Sequence, residues 1–311
     1  MMEIIYDLND ICREPTVATI GSFDGVHRGH VAMIEETRRR AAALALPVTL
    51  VTFSRHPRML FDTAAQPFLL STQSGRMERL AATGVERCVV LDFDKELASM
   101  TAREFMHKVL AEHLNVKLLV LGYDHRFGRP VVGENSDSYI EYGRECGIEV
   151  VRAAKYDEAE CKISSSQVRR ALAAGDVETA AMLLGHPYSI GGKVVHGAAL
   201  GRELGFPTAN IELGEPMQLL PLNGVYEVSA TIDGKLYKGA MNVGVKPTVT
   251  GCGKRTVEMF IIDFEGDLYD HNIDVEFVRR LREERRFASL DELKAQIVKD
   301  VAAVRMATQK Q

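Results

Sequence analysis

The hydrophobic pattern of the chain changes near residues 184–188, and the patterns on either side of that point demand different folds. Before it, short β-branched runs at Val17–Ile20, Val48–Phe53, Cys88–Leu91, Lys117–Leu121 and Glu149–Ala153 alternate with amphipathic segments at roughly 31–45, 74–83, 101–114 and 136–146. Strands alternating with helices of that length predict a parallel sheet with helical crossovers. Thr101 and Glu104 predict a capping box on the third helix. Two short helices near 165–174 and 177–184 close this half, the second terminated by Gly185. Beyond them, strands are punctuated by glycine: Ile190–Val195, Val225–Ile232, Leu236–Asn242, Val257–Ile262 and Ile273–Val278. Asp233 and Gly234 form a hairpin signal because both tolerate positive φ. So many antiparallel strands must close or stack to hide their edges. A last amphipathic helix runs from about Leu290 to Arg305, with Ser289 and Glu292 as a second capping box. The expected architecture is a Rossmann-like α/β domain over 1–185 and a small antiparallel β-barrel with a terminal helix over 186–311.

Composition narrows the function classes. At 311 residues the chain exceeds what one core usually supports, and 46% hydrophobic with 26% charged residues is a globular composition. A net charge of -5, with basic runs that are short or interleaved with Glu283 and Glu284, argues against a nucleic-acid-binding face. Cys12, Cys88, Cys146, Cys161 and Cys252 are odd in number and form no CxxC pair, which disfavours a disulfide framework or a zinc site. The opening MMEIIYDLND lacks the basic and then apolar segments of a signal peptide, and the longest nearly apolar stretch, 41–53, is too short to span a bilayer. A soluble cytoplasmic protein with no membrane partner is expected, and nothing in the sequence specifies an oligomeric state.

Two constellations carry chemistry. The segment GSFDGVHRGH, residues 21–30, follows the first strand and opens the first helix, where α/β sheets bind anions. Gly21 and Gly25 permit a tight turn, and His27 and His30, three apart, can both donate to phosphate oxygens. A strand–helix turn with two surface histidines reads the same residues equally well. GYDHRFG, residues 122–128, follows another strand and belongs on the same rim; ISSSQVR, residues 163–169, adds a hydroxyl cluster and Arg169 at a helix start. In the second half, GGKVVHGAALGRELGFPTAN, residues 191–210, is a glycine-rich loop that is not a Walker A motif. Thr208 and Asn210 flank Ala209, so an extended backbone points both to one face, where their oxygens can meet a magnesium ion. Glu258, inside the strand TVEMFIID, is either an outward solvated glutamate or a general base for an attacking hydroxyl.

GSFDGVHRGH, TFSRHP at 52–57, GYDHRFG and ISSSQVR resemble the FAD synthetase module of bacterial bifunctional riboflavin kinase/FAD synthetases. GRELGFPTAN, LPLNGVYEV at 220–228, NVGVKPT at 242–248, VEMFIIDFEGDLYD and LREERRF resemble the riboflavin kinase module of the same family. The resemblance implies that riboflavin and ATP give FMN in the second half, and that FMN and ATP give FAD and diphosphate in the first. It assigns ATP handling to His27, His30, Ser164, Ser165, Ser166 and Arg169, with Gly21, Phe23 and Asp24 in the same nucleotide site and Asp124 and Phe127 on the flavin side. For the kinase it assigns Mg²⁺ and phosphate to Thr208 and Asn210, the base to Glu258, nucleotide contacts to Gly197 and Gly205, and the flavin side to Arg282. The chain departs from the family pattern at His125, Ser166, Gln167 and Asp270, where phenylalanine, threonine, arginine and glycine are usual. A kinase whose first module is inactive or takes another substrate, and a flavin- or nucleotide-binding regulator without turnover, are the competing readings.

Overall fold

The computed structural model describes all residues except 1, 11–12, 63–65, 124, 154–156, 159–160, 198–200, 202–204, 247–253 and 309–311. Two compact units emerge, one comprising 1–66 and 73–164, the other 67–72 and 165–311.

In the first unit, β1 (Glu3–Ile5), β2 (Thr16–Ile20), α1 (Arg28–Leu44), β3 (Val48–Phe53), α2 (Arg58–Phe61), α3 (Gln73–Ala82) and β4 (Arg87–Leu91) are followed by α4 (Lys95–Ser99), α5 (Ala102–Phe105), a π-helical segment (Met106–His113), β5 (Val116–Leu121), α6 (Ser136–Glu145) and β6 (Glu149–Arg152). A small hairpin of β7 (Asp157–Glu158) and β8 (Cys161–Lys162) comes last. Six strands form a parallel sheet in the order β1-β4-β3-β2-β5-β6. The central strands β2 and β3 are buried along their whole length, as a sheet covered on both faces requires. Side chains of opposite parity enter separate cores, Ala18, Ile20 and Val51 in one and Val17, Val48 and Leu50 in the other. The expected capping box forms, with Thr101 and Glu104 each satisfying the other's backbone N–H.

The second unit contains α7 (Ser165–Ala173), α8 (Val177–Leu184), β9 (Ser189–Val195), β10 (Thr208–Leu213), β11 (Gly224–Ile232), β12 (Lys235–Lys246), β13 (Lys254–Ile261), β14 (Asn272–Arg282) and α9 (Leu290–Thr308). The six strands close into a barrel, β10-β13-β12-β11-β14-β9, so no edge is left unpaired. Asp233 and Gly234 both adopt positive φ in the two-residue turn between β11 and β12. The second capping box forms by half: the Ser289 hydroxyl accepts from the Glu292 N–H, while the Glu292 carboxylate takes the N–H of Ala288. On the barrel's outer face, α9 buries Val301 and Val304 against Ala240 and Ile262.

Contacts group α7 and α8 with the barrel, ahead of the change in sequence pattern near 184–188. The Leu222 N–H donates to the Leu172 carbonyl at 2.9 Å, and Gly175, at positive φ, packs beneath Tyr226 and Arg280, where a Cβ would come within 3.1 Å of both. Val168, Leu172, Val177 and Ala180 are fully buried, and each such aliphatic side chain contributes about 1.5–3 kcal/mol, with alanine less. A fragment of residues 165–311 should therefore unfold in urea at a higher midpoint than one of residues 186–311, by about 3 kcal/mol or more in stability. Equal midpoints by circular dichroism would show that the two helices add nothing to the barrel.

Candidate active sites

The order of the parallel sheet reverses at β2, with β3 and β4 on one side and β5 and β6 on the other. Ligands of open α/β sheets bind beyond the carboxyl ends of strands at such a reversal. The segments that leave there are the two motifs 21–30 and 122–128.

The first is tightly specified. Phe23 and Val26 hold φ of 47° and 40°, a conformation that L-residues avoid, and both side chains are anchored in the core. The Phe23 ring lies beneath Gly21, where a Cβ would stand 3.3 Å from it. Phe23 is fully buried, so what it offers a ligand is backbone. Asp24 is also buried, and its carboxylate acts on the buried Arg76 of α3. That guanidinium donates to the Ser22 carbonyl at 2.9 Å and the Phe53 carbonyl at 2.6 Å, joining the loops after β2 and β3. Burial lowers the pKa of Arg76, and Asp24 opposes that shift. Sequence reasoning missed Arg76, whose signal was a cation four residues from Leu80 on the buried helix face.

His27 caps α1, and its Nδ1 accepts the His30 N–H at 3.2 Å. A neutral His27 ring therefore carries its proton on Nε2 and can donate from there. The two imidazoles stack with centroids 3.6 Å apart and planes 13° from parallel. His27 is 6% exposed, which makes it a walled group and not a free surface histidine. Gly29 leaves room for Ile163, since a Cβ there would meet the His27 ring at 3.2 Å and the Ile163 carbonyl at 3.4 Å.

Ser164 ends the first unit, whereas Ser165, Ser166, Gln167 and Arg169 open α7 in the second. Arg169 donates from Nε to the Phe68 carbonyl at 2.8 Å and lies over the Phe68 ring. Asp124 lies outside the described residues. Phe127 is half-buried, edge-to-face with Phe105 and Tyr139 and 6.2 Å from His125. The Cys88 thiol is pushed up to about 12 by burial and is no nucleophile.

The barrel carries the other constellation on its outer face. Alternation along β13 buries Val257 and Met259 and turns Glu258 and Phe260 the other way. In register, Glu258 stands between Asn210 of β10 and Asn242 of β12, and Phe260 between Thr208 and Ala240. Neighbours so paired have Cβ atoms about 4.5–5.5 Å apart. A cavity of about 720 Å³ opens over this face, walled by Thr208, Asn242, Glu258, Phe260 and Arg282 and roofed by Phe287, Leu293 and Ile297. Glu258 therefore faces a cavity and not open solvent. Gly197 and Gly201 pack against the same strand, since a Cβ at Gly197 would overlap the Asn210 carboxamide and one at Gly201 would stand 3.2 Å from the Thr208 hydroxyl. Gly205 adopts a φ of 84°, which requires glycine or strain.

Arg282 is held by Asp300 of α9, its Nε and Nη2 reaching the carboxylate at 2.9–3.1 Å, and its guanidinium lies over Phe287. Glu284 lines the same cavity and takes a hydrogen bond from Asn223 at 3.3 Å. Asn242, Glu284 and Asp300 escaped the sequence reading because cross-strand register and the docking of α9 bring them in. Asp270 holds a φ of 66°, which explains the family's usual glycine, and a bond from Lys193 holds its carboxyl below the usual range. Among the described residues no three His, Cys, Asp or Glu side chains group to hold a metal, and no helix is long and apolar enough to cross a membrane.

The family model for FAD synthetase matches residues 10–167, and that for riboflavin kinase matches residues 184–308. The bifunctional riboflavin kinase/FMN adenylyltransferase of Pseudomonas fluorescens is 43% identical over 310 residues, 98% of this chain and 97% of that protein. The enzyme of the same name from Escherichia coli K12 is 40% identical over 304 residues, 97% of this chain and 95% of its own. Among solved structures, one described as a macrolide-efflux protein from Streptococcus pneumoniae aligns over 98% of both chains with a TM-score of 0.86 and 31% identity. With both modules matched in order along nearly the whole length, the chain belongs to the family of bifunctional riboflavin kinase/FMN adenylyltransferases.

Proposed function

We propose that the barrel phosphorylates riboflavin at the Glu258 cavity and that the α/β unit adenylylates the resulting FMN at the His27–His30 turn, with ATP as co-substrate of both steps. The observation that carries the kinase assignment is the register of β13, which sets one carboxylate between two carboxamides on a cavity wall and beside the Thr208 strand. The riboflavin 5′-hydroxyl attacks the γ-phosphorus, its proton passes to the Glu258 carboxylate, and ADP leaves. Thr208 and Asn210 offer neutral oxygen donors beside Gly197 and Gly201, a donor set that suits Mg²⁺, which keeps several waters and takes substrate phosphates in place of an all-protein cage. When bound, Mg²⁺ would neutralise charge on the transferring phosphates.

Adenylylation asks for something different. A phosphate oxygen of FMN is already a nucleophile, so attack on the α-phosphorus with loss of diphosphate needs no base. It needs donors for the charge that builds on the α-phosphate, and the Nε2 side of His27, the stacked His30 and the start of α1 supply them. A cytoplasmic location is part of the proposal, in keeping with the free thiols of Cys88 and Cys146.

Replacing His27 and His30 together by alanine should abolish FAD formation from supplied FMN while leaving riboflavin phosphorylation intact. Each lost donor to a transition-state charge corresponds to roughly 2.7–4 kcal/mol, and a normal FAD yield would demote both to structural caps. Glu258→Gln keeps the shape of the cavity wall but not its basicity. Its riboflavin kinase rate should fall by about 10²- to 10⁴-fold with riboflavin affinity retained, and an undiminished rate would remove Glu258 from the mechanism.

A further inference from the structure

The loop after β5 is held in place by side chains that the reaction does not use. Arg152, at the end of β6, donates from Nη1 to three carbonyls of that loop, those of Gly122, Tyr123 and His125, at 3.1, 3.1 and 3.4 Å. The Tyr139 hydroxyl, from α6, donates to the Phe127 carbonyl at 3.0 Å and accepts the Phe127 N–H at 3.3 Å. Tyr139 is 1% exposed, and the Arg152 guanidinium lies 5.7 Å from its ring centroid. The far end of the loop is fixed separately. Gly128 adopts positive φ and presses on the start of α5, where a Cβ would overlap Ala102, and the Arg129 N–H donates to the Met100 carbonyl at 2.7 Å.

These contacts share one consequence. A loop normally exchanges its backbone hydrogen bonds with water, yet here two side chains from neighbouring elements hold four of its residues. Arg152 holds the backbone that leads to Phe127 and Tyr139 holds the Phe127 backbone itself, while the Phe127 ring is half-buried beside Phe105, Tyr139 and His125. We infer that Tyr139 and Arg152 are positioning residues for the flavin in adenylyl transfer, fixing the Phe127 ring so that it meets the isoalloxazine without reordering. The inference rests on the reading of Phe127 as a flavin contact. A preset aromatic wall lowers the ordering cost of binding and makes no contact with the reacting phosphates, so its loss acts on FMN affinity and not on turnover.

The test is steady-state FAD synthesis by the full chain, with FMN varied at saturating ATP and ATP varied at saturating FMN. Tyr139→Phe keeps the ring packing and removes both hydrogen bonds; Arg152→Gln removes the charge that gathers the three carbonyls. Each should raise KM for FMN about three- to tenfold, the effect of one or two net hydrogen bonds. The kcat, the KM for ATP and riboflavin phosphorylation should stay unchanged, and Arg152→Lys should recover part of the loss. Phe127→Ala separates the inference from its premise. If Phe127→Ala raises KM for FMN while Tyr139→Phe and Arg152→Gln leave it at the wild-type value, the positioning role is overturned. If Phe127→Ala leaves it unchanged, the flavin reading of this loop falls and takes the inference with it. A fall in kcat with unchanged KM in either bracing variant would also contradict it.

Discussion

Closure of the six-stranded barrel decides which side of every strand in the second unit can do chemistry. Once β9 pairs with both β10 and β14, no edge remains, and alternation splits each strand into residues that fill the interior and residues that face out. On β13 the interior set includes Val257 and Met259, so Glu258 and Phe260 cannot face in. Register then supplies Asn210 and Asn242 as the neighbours of Glu258. A one-residue slip of β13 would send Glu258 into an apolar core and expose Met259. The cavity exists because α9 covers part of that outer face, with its apolar side on Ala240 and Ile262 and its Asp300 on Arg282.

The first unit solves its placement problem by other means. A parallel sheet cannot bring side chains of its buried central strands to a ligand, so the proposed site is built from loops, and loops must be held. The turn after β2 is held by core anchors at Phe23 and Val26 and by Arg76, buried beside the buried Asp24. Such a buried cation contributes little net stability, but removing one partner leaves an uncompensated charge. The loop after β5 is held by Arg152 and Tyr139. Both braces use arginine to gather backbone carbonyls, for which a planar fork of donors suits better than a lysine ammonium.

Most of this architecture is legible in the sequence, because period two and period 3.6 are local signals. The strand Val48–Phe53 and the helix Val177–Leu184 stand where their patterns place them. The Asp233–Gly234 turn and the Thr101 cap follow from residue chemistry alone. What escapes is non-local. Strand β1 is three residues long, and β10 lies in a segment read as loop and motif. The grouping of α7 with the barrel follows from packing at Gly175 and Leu172, which no local pattern encodes. Likewise, Thr208, Asn210 and Glu258 are visible as motif residues, whereas Asn242, Asp300, Tyr139, Arg152 and Arg76 acquire meaning through register or tertiary contact.

Both activities of the family reside in one chain, and the two proposed sites act in series on a flavin. Incubating the purified full-length chain with riboflavin, ATP and Mg²⁺ and separating the flavins by chromatography over time tests this most directly. FMN should appear first and FAD should then accumulate at its expense, with ADP and diphosphate formed in step with the two products. Riboflavin that stays unchanged, or FMN that accumulates without ever becoming FAD, would contradict it.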